Sequence, residues 1–172
     1  MGELYIEENG YYQTDLRQTE WSLPLQTYYR AAHLPLADVD YIFQYQGNLI
    51  LLEYKNAKLP YEKGYTAAEK FNPASDTKIA NISRKFFDSW FYLAAHQYKK
   101  PVTFIYVLEW PHADVMLRKA LRNKITKVLP FAFQRLEQLK PNVIDEFSVL
   151  SIDEWNRRFA LLPITPVEKS GY

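Results

Sequence analysis

The most regular apolar pattern in the chain lies on either side of Gln46-Gly47. The segments DYIFQY and NLILLEYK are both rich in β-branched and aromatic residues. Two such segments separated by a glycine-containing pair are typical of a β-hairpin with a two-residue loop. The pattern therefore predicts two antiparallel strands, the second of which ends in the charged triplet Glu53-Tyr54-Lys55.

A helix and a further strand are predicted after this hairpin. From Thr77 to about Gln97, apolar residues recur every three or four positions, which is the period of an amphipathic helix. The segment VTFIYVL is apolar on both faces and so predicts a central strand that is covered on two sides. Between the hairpin and the helix, the polar residues 56–76 predict a long loop.

Shorter elements are predicted on both sides of this region. Ser22 and Pro24 are typical of the start of a helix, which we expect to run to about His33. Further on, the pattern predicts a helix over 114–129, another over 131–140, a strand over 146–152 and a last helix that begins with a capping box at Ser151. We expect the tail to be frayed from about residue 163.

This order of elements predicts a single α/β domain in which a mixed central β-sheet is flanked by helices, with a core of about residues 20–160. A chain of 172 residues, 48% of them apolar, is large enough to bury such a core. The absence of cysteine excludes disulfides and iron–sulfur clusters. The N-terminus has no apolar signal core and no apolar run reaches the length of a membrane span, so we expect a cytoplasmic protein without membrane contact.

The predicted hairpin brings charged side chains together at one end. Counting outward from the loop places Asp40 directly opposite Glu53, with Cβ atoms about 5 Å apart. Lys55 follows on the same face, about 6.6 Å from Glu53. The alternative loop, Gly47-Asn48, would place Asp40 opposite Lys55 and would still keep the charged groups on one face.

Directly opposed carboxylates destabilise a sheet, so this pair predicts a positive group between them. Mg²⁺, or Mn²⁺ in its place, suits such a site, because hard cations are held by one or two carboxylates together with water and phosphate oxygens. In this interpretation Asp40 and Glu53 bind the metal, and Lys55 positions a water or neutralises charge on a phosphate. Asp38 lies on the same face and is a candidate second ligand or replacement for Asp40. The structural alternative is that Glu-x-Lys is a solvated strand face and that the two aspartates belong to a turn.

These residues resemble the signature of the PD-(D/E)XK nuclease superfamily, an Asp on one strand and Glu-x-Lys at the end of the next. The resemblance covers roughly residues 20–110. It implies a restriction endonuclease-like fold and a Mg²⁺-dependent deoxyribonuclease, an endonuclease, with Asp40, Glu53 and Lys55 as catalytic residues. It also implies DNA as the partner, and a homodimer, because cleavage of both strands of a duplex usually recruits two active sites.

The chain departs from the family pattern in three places. Val39 stands where a proline is usual, and no strand is predicted for the start of the family's three-stranded meander. Lys78 or Asn81 takes the approximate place of a glutamine on the following helix. The alternative function is a catalytically inactive nuclease-fold protein that binds nucleic acid or a protein partner, although the intact triplet favours the enzyme.

Charge is distributed unevenly along the chain, although the net charge is only +1. Residues 1–54 carry a balance of −6, residues 55–127 a balance of +8 and residues 128–172 a balance of −1. The basic part begins at the proposed site and so predicts a phosphate-binding side. The candidate nucleic-acid contacts are Lys58, Lys78, Lys85, Arg118, Lys119 and Arg122. The alternative is that these side chains form solvated helix faces.

Overall fold

The structure, a computed structural model, describes residues 3–64, 69–138 and 142–167, and of Tyr61 the backbone only. The strands and helices in chain order are β1 (Leu4–Ile6), β2 (Tyr12–Asp15), β3 (Trp21–Leu23), α1 (Leu25–Ala31), β4 (Tyr41–Tyr45), β5 (Asn48–Asn56), α2 (Lys58–Glu62), α3 (Asp76–Ala95), β6 (Val102–Glu109), α4 (Val115–Thr126), β7 (Ile144–Leu150), α5 (Ile152–Arg158) and β8 (Ile164–Pro166). Short 3₁₀ turns cover Leu16–Gln18 and Phe133–Arg135.

The central sheet has the strand order β3-β4-β5-β6-β7. Strands β3, β4 and β5 form an antiparallel meander, and β5, β6 and β7 run parallel. Parallel strands need long crossover connections, and here helices supply them. The predicted class, a single α/β domain with a mixed sheet flanked by helices, is confirmed.

The first strand of the meander lies where the sequence pattern predicts a helix start. Ser22 belongs to β3 and pairs with Phe43 of β4, so the prediction of a helix cap at this residue is wrong. Helix α1 begins only after Pro24, whose fixed φ suits a helix entry better than the interior of a strand. The missing strand of the meander is therefore present, but it is only three residues long.

The β4–β5 hairpin has the predicted register. Tyr45 pairs with Asn48 and Phe43 with Ile50, which makes Gln46-Gly47 the loop and rules out the alternative loop. Both loop residues have positive φ, 49° for Gln46 and 75° for Gly47, as a type I′ turn requires. Glycine tolerates this conformation without steric cost, and the turn follows the natural twist of the two strands.

The sheet buries a core on each of its two faces. One core lies under α1, α3 and α4 and includes Leu51, Phe86 and Phe104. The other lies under α5 and the terminal strands and includes Leu52, Ile105 and Trp155. Alternate residues of β5 and β6 thus enter opposite cores, which confirms that the strand after Pro101 is central and covered on two sides.

A second sheet corrects the prediction for the tail. It has the order β1-β2-β8 and is antiparallel throughout, so residues 164–166 are an ordered strand rather than a frayed end. Two other predictions need correction: the loop over 56–76 contains helix α2, and the described part of the segment 131–140 forms only a 3₁₀ turn. Residues 139–141 lie outside the described part of the chain.

Side chains cap the remaining helices at their N-termini. Ser75 caps α3 and Asp114 caps α4, each through its side chain. Ser151 and Glu154 form the predicted capping box at the start of α5. None of the helices in the described part of the chain has the length and apolarity that a membrane span requires.

Candidate functional site

The two acids of the predicted site lie at the open end of the β4–β5 hairpin. The last paired residues there are Tyr41 and Leu52. Asp40 directly precedes Tyr41, and Glu53 directly follows Leu52. The Asp40 carboxylate accepts a hydrogen bond of 2.7 Å from the backbone N–H of Tyr54. Glu53 is only 5% exposed. The hairpin therefore holds a partly buried and a deeply buried carboxylate in neighbouring positions.

The positive charge beside these acids comes from helix α3. The Lys85 ammonium donates to both oxygens of Glu53, at 2.7 and 2.8 Å. Burial lowers the pKa of Lys85, but the attraction of Glu53, Asp40 and Asp38 outweighs burial and raises it. Lys85 therefore stays charged and is shared among three carboxylates.

The carboxylates remain under-compensated despite this lysine. Burial raises the pKa of Asp40 to about 6, against the opposing effects of Lys85 and the Tyr54 N–H. Burial, and then the charge of Asp40, raise the pKa of Glu53 well above its ordinary value. The pKa of Asp38 is also raised by burial. The site thus holds more negative charge than its own cations neutralise.

Lys55 lies on the same strand as Glu53 but binds a different acid. Its ammonium contacts Glu8 at 2.8 Å, with side chains that are 36% and 68% exposed. The hydrogen bond from Lys55 lowers the pKa of Glu8. Glu8 lies in the turn between β1 and β2, so the N-terminal hairpin reaches across to the end of β5.

Strand β1 makes a second contact with the site through Tyr5. Its ring packs against that of Tyr41, with 4.5 Å between the ring centres, and burial followed by the charges of Asp40 and Glu53 raises the pKa of its hydroxyl. Tyr41, the residue after Asp40, donates from its hydroxyl to Glu3 at 2.9 Å. Three side-chain contacts therefore fasten the N-terminal segment over the hairpin end.

A cavity of about 170 Å³ opens beside Glu53, and we call it the site cavity. Its polar lining consists of Glu53, Lys55, Lys78, Asn81, Lys85 and Tyr106. Lys78 also lies 5.7 Å from the centre of the Phe71 ring. Asp38 and Asp40 line a neighbouring cavity of about 230 Å³, together with Tyr5 and Glu8.

The side chains that could bind the expected metal are few. Among the described residues, no group of three or more His, Cys, Asp or Glu side chains is arranged to hold a metal ion. Asp40 and Glu53 are two carboxylates with excess negative charge, which fits Mg²⁺ because this cation usually keeps several waters and takes one or two carboxylates. A cation that binds both Glu53 oxygens would have to replace the Lys85 ammonium there.

The structure separates the other predicted nucleic-acid contacts from the site cavity. Arg118 is only 9% exposed and donates to Glu154 at 2.9 Å and to the Ala113 carbonyl. Arg122 donates from Nε to the Phe147 carbonyl at 3.0 Å, which fastens α4 to β7. Lys119 on α4 and Lys58 at the start of α2 are exposed. None of the four is among the residues that line the site cavity.

Sequence reasoning missed three residues of this site. Glu8 and Tyr5 reach it only because β1 packs beside the hairpin, and no local pattern indicates that packing. Tyr106 pairs with Glu53 across the parallel strands β5 and β6. The alternation of faces in the predicted central strand could have placed it near Glu53 once the parallel register was known.

No family model matches the chain, and neither the curated proteins nor the solved structures gave a match.

Proposed function

We propose that the protein is a divalent-metal-dependent nuclease that hydrolyses DNA phosphodiester bonds. One observation carries the proposal: Asp40 and Glu53 are the next positions beyond the last pair of a hairpin, and Glu53 and Lys55 line one cavity. The strand order supports the resemblance to PD-(D/E)XK nucleases, since β3 provides the first strand of a three-stranded meander.

In this proposal Asp40 and Glu53 hold Mg²⁺ or Mn²⁺. When bound there, such a cation supplies charge that polarises the phosphate and activates water. Lys55, once it leaves Glu8, orients the attacking water or neutralises charge that develops on the phosphate. Lys78 and Asn81 line the same cavity and can bind phosphate oxygens of the DNA backbone.

A second candidate is a nuclease-fold protein that binds nucleic acid or a protein partner without cutting. The observation that favours it is the pairing of both lysines: Lys85 engages both Glu53 oxygens, and Lys55 engages Glu8. A site whose lysines are already paired with acids can persist without catalysis. The basic side chains of the site cavity would then serve binding alone.

A cleavage assay separates the two candidates. Duplex, single-stranded and branched DNA are incubated with the protein in Mg²⁺, in Mn²⁺ and in EDTA, and binding is measured in parallel by gel shift. We expect cleavage only with metal, and a loss of about 10²-fold or more for Glu53→Ala and for Lys55→Ala. Lys127→Ala, an exposed change of the same charge outside the site cavity, serves as the control.

Metal-dependent cleavage that both substitutions remove supports the nuclease. Binding of DNA without cleavage in any metal supports the second candidate. Normal cleavage by the Lys55→Ala protein contradicts the assignment of a catalytic role to the triplet, provided that the variant keeps the wild-type circular dichroism spectrum.

A further inference from the structure

The Lys85–Glu53 contact is the most enclosed ion pair at the site. The Lys85 side chain is 30% exposed and that of Glu53 is 7% exposed, whereas the Lys55–Glu8 pair is 36% and 68% exposed. Lys85 lies in the middle of α3, a helix that packs on the sheet face to which Leu51 of β5 belongs. Its ammonium meets the same two carboxylate oxygens that a metal at Glu53 would use.

Three carboxylates attract the single Lys85 ammonium. Asp40 and Asp38 act on it in addition to Glu53, and Lys55 is engaged with Glu8. Lone carboxylates buried without a partner are costly, so the metal-free protein needs a cation at this position. Lys85 meets that need from within the chain.

We propose that Lys85 is the resident cation of the Asp40–Glu53 site, that it competes with the divalent metal for Glu53, and that it moves to substrate phosphate when the metal binds. The inference rests on the proposed function and deepens it. A metal that binds both Glu53 oxygens would lie where the Lys85 ammonium now lies, and two cations so close repel strongly, so metal binding in this position displaces the ammonium.

The site cavity can accept the released Lys85 ammonium. Lys85 lines the site cavity together with Lys78 and Asn81, and its four-carbon stem rotates freely enough to turn from Glu53 into that cavity. Three polar side chains at one wall would then face the phosphate backbone. Metal binding and phosphate binding become linked, because each favours the position of Lys85 that the other needs.

Metal affinity provides the direct test. Mg²⁺ and Mn²⁺ binding is measured by calorimetry for the wild type, Lys85→Met, Lys85→Gln and the control Lys127→Met. Lys85→Met removes the competing cation, and Lys85→Gln keeps a hydrogen-bond donor without its charge. We expect both variants to bind metal at least about tenfold more tightly than the wild type, and the control to stay within about twofold. Unchanged or weaker binding by the folded Lys85 variants would overturn the inference.

A second measurement uses only the wild-type protein and so does not depend on the folding of a variant. An amine-reactive reagent labels lysines with and without saturating Mg²⁺, and mass spectrometry follows Lys85 and Lys127 separately. We expect Lys85 to react several-fold faster with metal, because it loses its partner, while Lys127 does not change. An unchanged Lys85 rate at saturating metal contradicts the release.

The two measurements keep this inference distinct from the proposed function. If the wild type and the Lys85 variants all fail to bind metal, the metal-dependent nuclease is wrong and the inference falls with it. If all of them bind metal with equal affinity, only the role of Lys85 is wrong. If the Lys85 variants bind metal and the wild type does not, Lys85 competes with the metal as proposed, but its release by the metal is wrong and the second candidate function is favoured.

Discussion

Two charged regions of this molecule use the same kinds of side chain in opposite ways. In the first, which we call the anchor region, Arg118 pairs with Glu154 and Arg158 pairs with Glu146, the latter through two contacts of 2.6 and 2.8 Å. Each acid there has its own guanidinium. At the candidate site, three acids share one enclosed lysine, and Lys55 is paired elsewhere.

The pKa shifts differ in sign between the two regions. The hydrogen bond from Arg158 lowers the pKa of Glu146. Burial raises the pKa of Glu154, but the hydrogen bonds from Arg118 and Ser151 outweigh it and lower the pKa. Burial raises the pKa of Asp40 and of Glu53, and their lysine does not compensate. Deep burial, together with fewer cations for each acid, distinguishes the candidate site from the ion pairs of the anchor region.

The largest expected effect comes from breaking the anchor region. Arg118→Met leaves Glu154 without its partner, and the Arg118 and Glu154 side chains are only 10% and 26% exposed. Removal of one partner of a buried pair costs about 3 kcal/mol of unfolding free energy. Urea denaturation measures this loss, with Lys119→Met, an exposed neighbour, as a control that stays within about 0.5 kcal/mol. An Arg118→Met protein as stable as the control would mean that this pair does not anchor α4.

A pH titration of stability compares the two regions in one experiment. In metal-free protein, Asp40 has a pKa of about 6 against an ordinary 3.8, so the folded state binds more protons between these values and stability falls as pH rises from about 4 to 6. Glu53 and Asp38 act in the same direction. Two pH units correspond to at most about 3 kcal/mol, which partial exposure of Asp40 reduces to about 2 kcal/mol.

The anchor region contributes the opposite trend. The lowered pKa of Glu146 and of Glu154 means that stability falls as pH drops below their ordinary value of 4.5. Thermal melts in EDTA from pH 3 to pH 8, taken in steps of about one unit, should therefore show greatest stability on the acid side of neutrality. Asp40→Asn should make the decline above the stability maximum shallower, and Glu53 and Asp38 account for the decline that is left. A curve that rises steadily to neutral pH would contradict the charge excess at the site.

Much of the fold and part of the site could be predicted from sequence because local signals determine them. Gln46-Gly47 selects a tight turn, and that turn fixes the register that places Asp40 across from Glu53. The capping box at Ser151 fixes the start of α5 in the same way. In these two places a few neighbouring residues determine the geometry, and the prediction is confirmed.

Other features depend on contacts between distant parts of the chain. β1 and β8 are three residues each and pair only through β2, which no apolar period reveals. The pairing of Lys85 with Glu53 depends on how α3 lies against β5, so the helical pattern could place Lys85 on a polar face but could not name its partner. The sequence predicted a metal between the acids, and the structure places a lysine ammonium beside them.

Two isosteric substitutions, one in each region, test whether loss of an acid changes the free energy of unfolding in opposite directions. The expected changes are smaller than those above. Asp40→Asn removes repulsion with Glu53 while its amide oxygen can still accept from Tyr54, so the metal-free protein should gain stability by about 1 kcal/mol. Glu154→Gln should lose a similar amount, because Arg118 loses its anionic partner. Chemical denaturation in EDTA measures both. If the free energy of unfolding changes in the same direction in both variants, the two regions do not differ as proposed.

The same Asp40→Asn protein also tests whether Asp40 and Glu53 bind one cation together. Wild type should gain about 1.4 kcal/mol when free Mg²⁺ is ten times its dissociation constant, because binding to the folded state alone stabilises by mass action. The variant should lose most of this gain. Thermal melts across a Mg²⁺ titration measure it, and a variant that responds fully to the metal would mean that Asp40 and Glu53 do not share a cation.

The smallest expected change in stability comes from Glu8→Gln. The Glu8–Lys55 pair is largely exposed, so its loss should cost no more than about 0.5 kcal/mol. The substitution frees the Lys55 ammonium to face the site cavity, so DNA cleavage should be kept or increased, whereas Lys55→Ala should remove it. Melting temperature and cleavage rate are measured together for the two variants. A Glu8→Gln protein that folds normally but loses cleavage as completely as Lys55→Ala would show that the Glu8 carboxylate is itself needed for cleavage. The N-terminal hairpin would then contribute a functional residue to the site, in addition to binding Lys55.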